Sequence, residues 1–207
     1  MNIVGITGDT HFGHSNIILY ANRPFVNRDT DLNDHGKWKN RDIANQRARE
    51  MDEDLIRGCN SVVKQPDDVI VHLGDFSFGN AEYYVNRLNG QIWFVTGNHD
   101  KQMLDFLKTK PDKVRHLGNL AEIYINGWTA VLCHFAMRVW NKSHYGNIHL
   151  YGHSHGSLDE PESMLSMDVG VDCAKKRLGE YRPFKPDEII KVMSKRTFKP
   201  VDHHKRN

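Results

Sequence analysis

Five short apolar runs in this 207-residue chain each end on a residue able to hold a divalent cation. Val4-Gly5-Ile6-Thr7-Gly8 leads to Asp9 and His11, and Val69-Ile70-Val71-His72-Leu73-Gly74 leads to Asp75. Ile92-Trp93-Phe94-Val95-Thr96-Gly97 leads to Asn98, His99 and Asp100, and Ala130-Val131-Leu132-Cys133 leads to His134. Ile148-His149-Leu150-Tyr151-Gly152 leads to His153 and His155. Apolar runs of this length followed by turn signals read as buried strands. In layered α/β folds, ligands gather in the crevice beyond the carboxyl ends of strands. The repetition therefore predicts that residues far apart in sequence meet at one sheet edge. A Gly precedes the ligand in four of the five runs, which permits a tight turn and close backbone approach to an ion.

A chain of this length fits one domain with a sizeable core. The expected organisation is one domain over 1–195, a loop–helix segment at 20–65 flanking the site, and a loosely held tail at 196–207. The formal charge of +2 is too small for wholesale coating of nucleic acid. The 13 His stand out as an excess. Three scattered Cys without a C-x-x-C pair read as free thiols in a reducing compartment. No apolar stretch approaches the roughly 20 residues of a membrane span, and a strand begins almost at once, so no signal peptide is expected. A cytoplasmic protein is the expectation.

Three- and four-residue spacing of Ala44, Ala48, Met51, Leu55, Cys59 and Val62 predicts a helix from Asp42. Further helices are expected at 81–88, 101–108 and 186–193. Residues 121–125 and 128–133 around Asn126-Gly127 read as a hairpin. A late strand is expected within 164–171, and 20–40 reads as a long loop. Mixed elements of this kind predict two packed sheets flanked by helices.

Asp9, His11, Asp75, Asn98, His134, His153 and His155 form the candidate ligand set. Carboxylate, carboxamide oxygen and imidazole without thiolate suit borderline first-row ions: manganese foremost, with iron, cobalt, nickel and zinc as the others. Seven ligands exceed what one tetrahedral ion accepts. They fit two divalent ions bridged by one carboxylate, roughly 3.5–4 Å apart. Side chains alternate along extended chain, so Asp9 and His11 are expected to point one way, and His153 and His155 likewise.

Asp9-Thr10-His11, Gly74-Asp75, Gly97-Asn98-His99-Asp100, His134 and Gly152-His153-Ser154-His155 resemble, in order, the five blocks of calcineurin-like metallophosphoesterases. The stretches from His11 to Ile18 and from His134 to Gly156 look like a small bacterial and phage branch of that family. The resemblance implies an α/β four-layer αββα sandwich. It implies one ion held by Asp9, His11, Asp75 and His155, and a second by Asp75, Asn98, His134 and His153. It further implies that His99 sits beside the leaving-group oxygen, steered by Asp100.

Other residues carry two readings each. His14 and Asn16 could reach a substrate phosphate, or be a loop His and a helix cap. Arg138 and Arg23 could clamp a phosphate oxygen, or be ordinary surface Arg. Trp140, Tyr151 and Trp38 could stack a nucleobase or pack the core. His72, His116 and His149 read as structural, and His203-His204 as tail. The Gly-Asp block continues as Phe76-Ser77-Phe78-Gly79, without the Asp-Arg-Gly extension of protein Ser/Thr phosphatases. The resulting expectation is a metal-dependent phosphodiesterase for a small, nucleotide-like phosphoester. A broad phosphomonoesterase is second, and a non-catalytic binding module on the same fold is third. No membrane or stable nucleic-acid partner is indicated, and oligomeric state is silent.

Overall fold

Two four-stranded sheets and seven α-helices make up the computed structural model, which describes residues 2–199 and 201. The first sheet is β1 (Asn2–Thr7), β2 (Asp68–His72), β3 (Gln91–Val95) and β4 (Val114–Gly118), paired in that order and parallel throughout. The second is β5 (Leu120–Ile125), β6 (Trp128–Cys133), β7 (Ile148–Tyr151) and β8 (Ser166–Asp168). Its β5–β6 pair is the expected antiparallel hairpin, whereas β6, β7 and β8 run parallel. Asn126 and Gly127 have φ of 45° and 90°, the two positive values that the tight Asn-Gly turn requires.

Strand β2 is buried at every position, as a strand covered on both faces must be. Val69 and Val71 join the core that also holds Ile123, Leu132, Leu150 and Met167 of the second sheet. Ile70 and Ile92 point the other way, into a second core with the helices. Those helices are α1 (Ser15–Tyr20), α2 (Arg28–Asp31), α3 (Arg41–Val62), α4 (Ala81–Arg87) and α5 (Lys101–Leu107). In α3, Met51, Leu55, Cys59 and Val62 supply the apolar stripe for that core, and the Asn40 carboxamide accepts from the Ile43 N–H as its N-cap. Helices α6 (Val171–Leu178) and α7 (Pro186–Met193) put Cys173, Ala174, Ile189 and Met193 into the inter-sheet core. The architecture is the expected pair of sheets flanked by helices.

Four elements were not anticipated: α1, α2, β4 and α6. Helix α1 has six residues, no side-chain cap and no acidic first turn, too short for a helical period to show. The stretch read as a strand over 164–171 divides into β8 and the start of α6. The loop read over 20–40 contains α2, whose Asp31 is held by Arg47 of α3 at 2.7 Å. Part of the tail is anchored: the Arg196 guanidinium donates to Met164 and Ser166 carbonyls and to Glu160, and Lys199 N–H donates to Ser163 O. Residue 200 and residues 202–207, with His203-His204, lie outside the described residues.

Candidate metal centre

The turn after β1 carries Asp9 and His11, the turn after β2 carries Asp75, and the turn after β3 carries Asn98 and His99. The end of β6 carries His134, and that of β7 carries His153 and His155. Because β1, β2 and β3 run parallel, as do β6 and β7, these ends converge. Asp9, His11 and His155 form one group whose ligand atoms lie within 4.8 Å of one another; Asp75, His134 and His153 form a second. Asn98 Oδ1 joins the second group, 2.9 Å from His134 Nε2 and 3.0 Å from His153 Nδ1. Asp75 Oδ2 lies between them, 3.6 Å from His11 Nε2 and 3.5 Å from His134 Nε2. All seven candidate ligands are brought together.

The backbone achieves this differently from the expected strand alternation. Asp9, His11, Asp75, His153 and His155 have φ of 56°, 50°, 55°, 66° and 48°. Left-handed conformations at non-glycine residues are strained and cluster at functional sites. The strain is held by cross-bracing between turns. The Asp9 carboxylate accepts from the His153 N–H at 2.9 and 3.0 Å, and Asp75 Oδ1 accepts from the His99 N–H at 2.9 Å. Gly74 sits at φ 88°, and a Cβ there would stand 2.4 Å from Gly97 N. A Cβ at Gly152 would stand 2.7 Å from the Asp9 carboxylate. Neither position tolerates a side chain.

Electrostatics favour a cation here. Both ring nitrogens of His11 are buried without a hydrogen-bond partner, and burial pushes its imidazole down to about 2, so it presents a neutral ring with a free lone pair. Burial pushes the Asp9 carboxyl up to about 7, against the opposing pull of His155. Burial also works against charge on Asp75, but His134, the His99 N–H and His11 outweigh it and hold that carboxyl down to about 2. Buried carboxylates and unpartnered imidazole nitrogens at one point make a donor set that a divalent cation satisfies.

Residues 1–171 match the model of the calcineurin-like phosphoesterase superfamily domain. The chain belongs to the calcineurin-like phosphoesterase superfamily. An uncharacterized protein of Methanocaldococcus jannaschii is 30% identical over 205 residues, covering 94% of this chain and 93% of its own length. A solved structure of a protein of unknown function from Aquifex aeolicus has a TM-score of 0.57 at 19% identity, covering 93% of this chain and 100% of its own. That likeness is one of fold. A structure described as a novel archaeal phosphodiesterase has a TM-score of 0.42 at 19% identity, over 84% of this chain and 87% of its own, too slight a likeness to bear on substrate. The superfamily is one of metal-dependent phosphoesterases, and the two ligand groups agree with that membership.

Several site expectations are corrected within this calcineurin-like frame. Asp100 does not touch the His99 ring: its carboxylate is buried and accepts from the N–H groups of Asp75 and Phe76, at 2.7 Å each, and of Gly97 at 2.6 Å. Three backbone donors occupy most of its acceptor sites and tie it to the Asp75 turn, which it shapes. Arg23 is not a surface clamp. Its side chain is fully buried and donates to both Asp172 oxygens and to the Asp9 and Thr10 carbonyls. Trp140 and Tyr151 are 7% and 1% exposed, with no face open to a base. Asn16 is no cap; its Oδ1 accepts from the Trp38 indole N–H. Arg138 is exposed and stands outside the cavity over the ligands. His72, His116 and His149 are structural, as expected, bonded to Thr10, Thr96 and the Val131 carbonyl.

Asp172 was missed. Its Oδ2 lies 2.6 Å from His155 Nδ1, the carboxylate–histidine pairing that orients a metal-ligating ring and directs its other nitrogen to the ion. Asp172 stands just past the short β8 strand, two residues after Gly170 and in the first turn of α6, and this acid beyond a strand end was the available signal.

Proposed function

We propose that this chain is a dinuclear-metal-dependent phosphodiesterase acting on a small, nucleotide-like phosphodiester. Asp9, His11, Asp75 and His155 would hold one divalent ion, and Asp75, Asn98, His134 and His153 the other, with manganese foremost. When bound, such a pair supplies Lewis acidity that acidifies a water and offsets charge gathering on phosphoryl oxygens. Asp75 keeps the two ion positions together, and Asp172 fixes the ring of His155. His99 is exposed at the cavity over the ligands. It would pass a ring proton to the departing oxygen, which takes the electron pair of the breaking P–O bond.

One observation carries the preference for a diester. Among the described residues no Lys or Arg lines the cavity, whose walls beyond the ligands include Ile17, Ala21, Phe78 and Tyr20. A monoester dianion brings a second charge that calls for a further cationic partner. A diester carries one charge and a second ester group, which an apolar wall accommodates.

The test compares bis(p-nitrophenyl) phosphate with p-nitrophenyl phosphate under manganese, nickel or zinc. The diester is expected to show a kcat/KM at least about tenfold higher, with Asp75→Asn silent on both. A faster monoester overturns the diester preference. Absence of turnover of either substrate with every metal overturns the enzymatic reading and leaves a binding module.

A further inference from the structure

The cavity above the ligand groups measures about 600 Å³, within the usual range for small-molecule sites. One wall is aromatic. Phe78 and His14 stack with centroids 3.9 Å apart and planes 19° apart. Phe78 also lies 5.2 Å from the His99 ring and 5.6 Å from that of His11. Tyr20, at the end of α1, continues the wall edge-on to His14 at 6.3 Å. Tyr20 is 75% exposed and Phe78 36%, so both rings keep surface uncovered inside a cavity. Asn22, Ser154 and Ser157 supply polar groups to the same cavity.

Exposed aromatic side chains beside an anion site are what stack a heterocyclic base while the phosphate is held elsewhere. The geometry points to a nucleoside subsite: we propose that a nucleoside esterified to the bound phosphorus lays its base against Phe78 and Tyr20, with its sugar toward the polar side of the cavity. Phe78 stands between the proposed proton donor His99 and His14, so a group departing past His99 meets this wall. The aromatics first considered for stacking cannot serve, because Trp140 and Tyr151 are buried and Trp38 is not among the cavity's lining. The inference deepens the phosphodiesterase reading and rests on phosphate binding at the ligand groups.

Calorimetry on the manganese-loaded full chain provides the test, with adenosine 5′-monophosphate and methyl phosphate as probes at matched free manganese. The nucleotide is expected to bind at least about tenfold tighter, the scale set by one stacked base. Tyr20→Ala and Phe78→Ala should each erode that ratio, taken within each variant, about fivefold or more. Tyr20→Phe and Phe78→Tyr should preserve it. Equal affinity of the two probes for the parent protein, or a ratio that survives both Ala variants, overturns the subsite. Diester turnover is measured separately: a preserved ratio without turnover retires the reaction while keeping the subsite, and turnover without a ratio does the reverse.

Discussion

The guanidinium of Arg23 grips Asp172 from Nε and Nη2 at 2.8 Å each, and Asp172 in turn meets His155 Nδ1 at 2.6 Å. The same guanidinium donates to the carbonyls of Asp9 and Thr10 at 2.7 and 3.0 Å. One buried cation thus ties the first ligand turn to the partner of the last ligand. Outer partners of metal-bound His typically govern affinity by 10–100-fold. Asp172→Asn should therefore weaken manganese binding by about tenfold, read by equilibrium titration. An unchanged affinity would show that the His155 ring is held by packing alone. Arg23→Ala should cost about 3–5 kcal/mol of unfolding free energy, because it leaves buried acceptors and a carboxylate uncompensated; chemical denaturation measures it.

Asp100 and His99 should separate cleanly. His99→Ala is expected to keep both metals and lose about 10²–10⁴-fold in rate, most with poor leaving groups. Asp100→Ala strips the acceptor from three backbone N–H groups, so it should lower thermal stability and metal content together. A series of diesters graded by leaving-group acidity, run on both variants, makes the comparison. If Asp100→Ala retained full metal yet gave the steep leaving-group dependence of His99→Ala, its role would be to steer the His99 ring after all.

Asp52 gives the fold a pH signature away from the ligands. Burial pushes its carboxyl up to about 6, although the Gly13 N–H and the Tyr84 hydroxyl pull the other way. Its folded value lies above the unfolded one, so its contribution to stability is full below about 4 and lost as pH rises through about 6. Asp52→Asn should accordingly raise Tm at pH 7.5 and leave it little changed at pH 4. Parallel Tm curves for variant and parent across that window would refute this assignment.

Gly58 on α3 sets helix propensity against packing. Propensity alone makes Gly→Ala in a helix favourable by about 1 kcal/mol. A Cβ at Gly58 would stand 1.7 Å from the Tyr181 carbonyl oxygen and 2.8 Å from its carbon. Backbone cannot swing aside as a side chain can, so the clash wins. Gly58→Ala should destabilise by about 1–3 kcal/mol, and a rise in denaturation midpoint would contradict this packing.

The candidate ligands were legible in the chain because all seven lie just past five strands, with a Gly directly before the first ligand in four of the five. Local pattern also specified the hairpin, through Asn126-Gly127, and α3, through its apolar stripe. The short helix α1 and the exposed edges of β4 left no such period to read.

What sequence by itself determined was the list of strand ends and the chemistry of the groups they carry. Only tertiary structure decided which groups act together, since that follows from strand pairing between distant segments. Arg23 and Asp172 are 149 residues apart, and Asp9 and His153 are 144 apart. Nothing near Arg23 in the chain distinguishes a surface guanidinium from one sealed beneath Asp9, and Asp100 adjoins His99 yet spends its carboxylate on the turn at Asp75. Burial and hydrogen-bond partners are properties of the assembled turns.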